Sequence, residues 1–257
     1  MLSTSCSSTG TISGTITDAM SSANVSGVSV SIRRGLNTTS GSVYATAATT
    51  DSNGDYSFNN VERGWYTLKT SLTGYSDSHF NVVSCGDVSD QDSSIITSLT
   101  SSDQMYIILR WPKGSAATDL DSHIQIPDND SNDFHLWYGV NVGGSSDDYY
   151  YYGTDDNASL DRDNVNNPGT ETITIQSLKS GTYSYSVHNF TDKAESNNEN
   201  LTLSGASVEV KTYSSTTTYY PPLDTSGNLW HVFTYTTSGG LVEVGTMSDQ
   251  SAAADVY

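Results

Sequence analysis

The chain has 257 residues, of which 35% are apolar and only 15% charged, and its 29 acidic against 10 basic side chains give a net charge of −19. That balance excludes a binder of nucleic acid or of anionic membrane, since phosphate backbones and acidic lipids demand clustered Lys and Arg; it favours divalent cations instead. Serine and threonine together supply about 75 residues, with 17 Tyr and 21 Gly, a β-forming mixture with small polar residues facing water rather than a helical one, and its length predicts two domains.

In the first half, residues 9–35 alternate with the strand period. Ile12 and Ile16 share one face, Val28, Val30 and Ile32 another, and their neighbours are mostly Ser and Thr, as in a sheet with one wet side. Asn53-Gly54 reads as a hairpin turn with both central residues at positive φ. Val61, Tyr66, Leu68 and Gly74-Tyr75 continue the pattern. Six or seven short strands with no helical period predict an antiparallel sandwich. Cys6 and Cys85 are the two cysteines. Paired, they close a loop of about 80 residues, and the composition suits an oxidising compartment; the alternative is two buried thiols.

The segments G-x-I-x-G-x-I-x-D, V-S-G-V-S-V and T-D-S-N-G-D-Y-S-F-x-x-V-x-x-G-x-Y-T-L, within residues 9–98, resemble the carboxypeptidase regulatory-like domain. That resemblance implies a seven-stranded, transthyretin-type β-sandwich acting as an accessory module, without peptidase activity.

After a Ser/Thr linker over 97–103, Met105–Trp111 reads as a buried strand. Residues 118–126 alternate, with Leu120, Ile124 and Ile126 on one face and Asp119, Asp121, His123 and Gln125 on the wet one. Further strands are expected at 134–138, 171–175, 181–187, 206–212, 230–235 and 241–244. The motifs L-x-W, T-D-L-D-S-H-I, F-H-L-W-Y, L-D-R-D and E-T-I-T-I-x-x-L-x-x-G-T-Y-x-Y-S-V-H are similar to YfaP-like domains of unknown function. Those resemble bacterial pre-peptidase C-terminal domains in turn. The expected architecture is all-β: a transthyretin- or Ig-like sandwich over 1–98, a jelly-roll-like sandwich over 104–247, and a tail over 248–257.

Several groups of residues invite chemistry. Asp128 and Asp130 lie in a loop dense in oxygen ligands, and Asp119, Asp121, Asp161 and Asp163 supply further carboxylates; calcium, which takes six to eight oxygens, is the cofactor this pattern admits. An EF-hand is excluded, because Asp133 stands where that loop has its glycine. If their strands are neighbours, His123, His135 and His188 meet on one sheet face, which is the alternative of a transition-metal site. Trp137 and the run Tyr149, Tyr150, Tyr151 and Tyr152 offer stacking surfaces for sugars or a partner chain. Nucleophile elbow, zinc-protease, P-loop and dinucleotide fingerprints are absent, so the chain is expected not to be an enzyme. No run approaches 18 apolar residues, and the start lacks the basic and apolar regions of a signal peptide.

The reading is of a non-catalytic extracellular or cell-surface protein, structural or adhesive. Its expected partners are further copies or other surface proteins, with fibre formation by strand-edge contacts from Met1–Thr9 or Ser248–Tyr257. The alternative is a carbohydrate- or ligand-binding accessory module of a secreted protein.

Overall fold

The computed structural model describes residues 6–46, 49–127, 133–140 and 158–257, and the backbone alone of 149–151. It is all-β: among the described residues the one helical segment is a 3-10 turn, Ala253–Asp255. The chain divides into two compact units. One is built on the residues up to Ser98 with Arg110–Gly114 and Asn167–Gly169, the other on the remainder.

The first set of strands is β1 (Thr9–Asp18), β2 (Ser29–Arg34), β3 (Ala45–Thr46), β4 (Asp55–Glu62), β5 (Gly64–Ser71), β6 (Ser78–Ser84) and β7 (Ser93–Ile95). They form a three-stranded sheet, β4-β1-β7, and a four-stranded sheet, β3-β2-β5-β6. The core is the apolar phase read from the sequence: Ile12 and Ile16 from β1, Val30 and Ile32 from β2, Tyr56 and Phe58 from β4, Leu68 from β5. The glycines of the opening motif share the face of those isoleucines because another stretch of chain crosses there. A Cβ at Gly10 would lie 1.8 Å from the Gly86 carbonyl oxygen, and one at Gly14 would lie 2.3 Å from that of Gln91. Cys6 and Cys85 are joined as a disulfide, with Cα atoms 4.6 Å apart.

The Asn53-Gly54 expectation needs correction. A turn is present, and the Asp51 carboxylate accepts from the backbone N–H groups of Asn53 and Asp55 at 2.8 and 3.0 Å. Of the two central residues only Gly54 has positive φ, +77°. The strand that follows, β4, ladders with β1 and not with the strand preceding it. The turn is closed by backbone bonds, Gly54 N–H to the Asp51 carbonyl at 3.0 Å and Asp51 N–H to the Asp55 carbonyl at 3.2 Å, and the Asp51 carboxylate caps it.

The second set is β8 (Met105–Trp111), β9 (Leu120–Ile126), β10 (Phe134–Leu136), β11 (Tyr149–Tyr151), β12 (Ala158–Arg162), β13 (Gly169–Ile175), β14 (Tyr183–Asn189), β15 (Ser207–Thr212), β16 (Thr216–Tyr219), β17 (Leu229–Thr236) and β18 (Gly240–Ser248). A five-stranded sheet runs β10-β9-β14-β17-β18 and a six-stranded sheet β11-β12-β13-β8-β15-β16. Leu120, Ile124, Leu136 and Val187 from the first and Leu160, Ile173, Ile175 and Val208 from the second are fully buried. Tyr185 and Tyr219 both stack on Phe233, at 5.3 and 5.5 Å, so aromatic rings fill the core where Leu and Val are scarce. Among the described residues no helix is long and apolar enough to cross a membrane.

The terminal segment is not a free strand donor. Gln250 accepts from His188, Tyr257 hydrogen-bonds Ser186, and Ala253 and Val256 are buried. Residues 1–5 lie outside the described residues.

Candidate metal centre

The outward face of β9 is not wet. Asp121 is 3% exposed and His123 is fully buried. Strand pairing sets this face. Asp121 and His123 stand opposite His188 and Ser186 of β14, while His135 of β10 stands opposite Gln125. The three strands are neighbours, as the histidine alternative required. The rings of His123 and His135 lie 5.1 Å apart, and those of His123 and His188 lie 5.7 Å apart. Trp137 is stacked on His123 and His135 at 5.8 and 5.5 Å, and Tyr257 meets His135 edge-on at 5.4 Å. Trp137 and the terminal segment thus cover a face that alternation alone assigns to water.

Carboxylates gather at the Asp121 end of this face. Asp121, Asp163 and Glu171 each offer an oxygen, and those atoms lie within 4.8 Å of one another. Asp119, Asp121 and Asp163 line a recess of about 60 Å3 with Tyr138, Val165 and Phe190. Glu171 is fully buried; it accepts from the backbone N–H of Ser122 at 2.6 Å and from that of Asn164 at 3.4 Å. Asp119 Oδ1, Asp121 Oδ2 and Asp163 Oδ1 are buried with no hydrogen-bond partner.

Gathered carboxylates in a dry place hold on to protons. Burial, with Asp163 beside it, pushes Asp119 up to about 6. Burial and then the charges of Asp119 and Asp163 carry Asp121 well above the carboxylate range. Burial, Asp121 and Asp163 do the same to Glu171. Lys193, whose ammonium lies 3.3 Å from the centroid of the Phe190 ring, lowers Asp119 and Asp121 without offsetting these effects. Burial lowers His135 to about 4; burial and the neighbouring imidazoles hold His123 well below its usual range. The group therefore combines hard oxygen donors, able to hold calcium, with neutral imidazoles, able to hold a softer ion.

Of the acids singled out in the sequence, the structure brings together Asp119, Asp121 and Asp163. Asp161 is placed apart from them: it accepts from Ser159 and Thr174, each at 2.5 Å, in the opposite phase of β12 from the core residue Leu160. Asp128, Asp130 and Tyr152 lie outside the described residues, as do the side chains of Tyr149, Tyr150 and Tyr151. Trp137 is engaged with the histidine rings. Glu171 was missed by sequence reasoning, although it left a signal. It shares its phase on β13 with the core residues Ile173 and Ile175, and an acid in an inward position needs a partner.

Residues 11–95 match the family model of the carboxypeptidase regulatory-like domain. No curated protein matches the chain. Solved structures similar to it include BcpA, the major pilin subunit of Bacillus cereus, at 11% identity and a TM-score of 0.29, covering 82% of this chain and 66% of that one. SpaD, the major pilin from Corynebacterium diphtheriae, is 12% identical with a TM-score of 0.28, covering 82% and 65%. A protein from Bacteroides uniformis described as "a putative carbohydrate binding protein" is 14% identical with a TM-score of 0.28, covering 70% and 88%. The chain thus spans just under two thirds of either pilin. At scores this low the matches carry no argument about this chain.

Proposed function

We propose that the chain is a non-catalytic extracellular protein, structural or adhesive, in which a calcium ion locks one end of the second sandwich. In this reading residues 1–98 are an accessory sandwich and residues 104–247 a YfaP-like one. The observation that carries the proposal is the carboxylate group of Asp121, Asp163 and Glu171, with Asp119 at the recess. Unneutralised acids at this depth are costly, and an oxygen-ligated divalent ion removes that cost. The disulfide and the Ser/Thr-rich, acidic composition suit life outside the cell.

Self-association has a physical route in β18. It is an outer strand of its sheet, exposes Val242 and Val244, and contains no Lys, Arg or Pro among its nine residues. Lys and Pro are two of the usual protections against edge pairing; Glu243 and a register shift near Gly245 are what the strand keeps of them. Sedimentation velocity and negative-stain microscopy, with calcium and with EDTA, test this. Concentration-dependent assemblies that Val242→Lys abolishes are expected. Monomers alone at high concentration in both conditions would overturn the structural reading.

One observation favours a second reading, a carbohydrate-binding module. Tyr138, Phe190 and the 63%-exposed Val165 flank the same recess, so a sugar could stack there with its hydroxyls toward the ion. Calcium-dependent retention on polysaccharide, with no assembly, is the outcome that selects it.

A further inference from the structure

The histidine face holds imidazole donors that calcium does not use, and Asp121 stands between them and the carboxylate group. Asp121 and His123 are two apart on β9, and His188 stands opposite Asp121 on β14. Each offers a ligand atom, and the three atoms lie within 4.8 Å of one another. All three residues are buried, and Asp121 Oδ2, His123 Nε2 and His188 Nδ1 have no hydrogen-bond partner. A buried polar atom left unsatisfied is costly, so three in one place call for a common partner.

The other ring nitrogens fix what these atoms present. His188 Nε2 lies 2.8 Å from the Gln250 carbonyl oxygen. A carbonyl only accepts, so Nε2 carries the proton and Nδ1 is left with its lone pair. His123 Nδ1 lies 2.9 Å from His135 Nε2. With the proton on Nδ1, His123 donates to His135 and bares Nε2. Burial favours the neutral form of both imidazoles. Outer contacts of this kind orient metal-bound histidines and raise their basicity.

We propose that Asp121, His123 and His188 form a site for a divalent ion of the zinc class, with three protein ligands and a fourth position for water. Zinc accepts such a mixed set, and imidazole selects it over calcium. Ligand atoms around a tetrahedral ion with bonds of ~2.1 Å stand about 3.4 Å apart; the three atoms already lie within 4.8 Å of one another. Gln250 belongs to the terminal segment, so the ion also fastens that segment to the sheet. The site does not rest on the calcium reading. Loss of a histidine leaves the carboxylates in place, and loss of Asp163 leaves this ligand set intact.

The test is a Co2+ titration of the EDTA-treated, calcium-free full chain, followed by visible absorption and by displacement with Zn2+. One Co2+ per chain with tetrahedral-type bands is expected. Binding weakens at least tenfold in His123→Gln and His188→Gln and is retained in Asp163→Asn. Absence of bands, binding indifferent to both histidines, or binding lost in Asp163→Asn alone would overturn the proposal. Should a histidine variant fail to fold, histidine ring NMR of the unaltered chain decides: Zn2+ must shift His123 and His188 and leave His79 unmoved, and any other pattern refutes the site.

Discussion

Asp163→Asn gives the sharpest test of the carboxylate group, because it changes sign with the metal. The oxygens of Asp121, Asp163 and Glu171 lie within 4.8 Å of one another. At an effective dielectric of ~20, two full charges at that distance repel by about 3.5 kcal/mol. The metal-free chain avoids most of this by keeping protons, so only part of it appears as lost stability. Asn removes one charge from two of the three pairs, and its amide can donate to Glu171. A gain of about 2 kcal/mol is expected without metal at pH 8. That is a rise of roughly 4–8 °C for a domain of this size. Calcium at a hundred times its Kd stabilises the unaltered chain by about 2.7 kcal/mol, and the variant forfeits most of that. Calorimetry at pH 8 should therefore show the variant melting higher in EDTA and the unaltered chain melting higher in calcium. The same order in both conditions would refute the reasoning.

Calcium affinity should rise with pH, because protons on Asp119, at about 6, and on Asp121 and Glu171 compete with the ion; titration in buffers of different ionisation heat should show proton release, and pH-independent binding would contradict this. The raised Asp119 also fixes a stability sign. Its folded form binds the extra proton between about 4 and 6, so its contribution in the metal-free chain is present below that window and lost as pH climbs through it; circular-dichroism melts at pH 4.5 and 7 of Asp119→Asn beside the unaltered chain measure it, and an equal difference at both pH values would exclude it. Reducing the Cys6–Cys85 bond, which spans 79 residues, should cost the first sandwich about 4.5 kcal/mol by loop entropy; its transition should fall by more than ~15 °C, and an unmoved transition would refute that role. Deleting residues 250–257 removes the Gln250–His188 and Tyr257–Ser186 hydrogen bonds, so a loss of about 2 kcal/mol and faster chemical modification of the histidines are expected; unchanged reactivity would show that the segment does not cover that face.

The strands were legible because period-two alternation is a local property that β1, β2, β9 and β14 follow closely, while β8 was read from its unbroken apolar run. β12 and β16 were not read, since Ala-Ser-Leu-Asp-Arg and Thr-Thr-Thr-Tyr carry too few apolar residues to show a phase. For the site, alternation placed Asp121 and His123 on a face of their strand expected to be wet, and brought His135 and His188 to it only on the condition that the strands are neighbours. What covers it is Trp137 and a segment more than a hundred residues away in sequence, a long-range fact that no local pattern carries. Asp161 illustrates the converse. Asp163 lies two residues on, where alternation would give it the same face, but a register shift between Leu160 and Arg162 at the end of β12 parts the two, and Asp161 turns to Ser159 and Thr174.

On the reading proposed, the buried acids at the end of the second sandwich hold an ion. Anomalous diffraction from crystals of the full chain grown in calcium tests it directly. A peak bounded by Asp121, Asp163 and Glu171 is expected, with oxygen distances of about 2.3–2.6 Å. A structure in which those three carboxyls close on one another through shared protons, with no peak among them at saturating calcium, would contradict it.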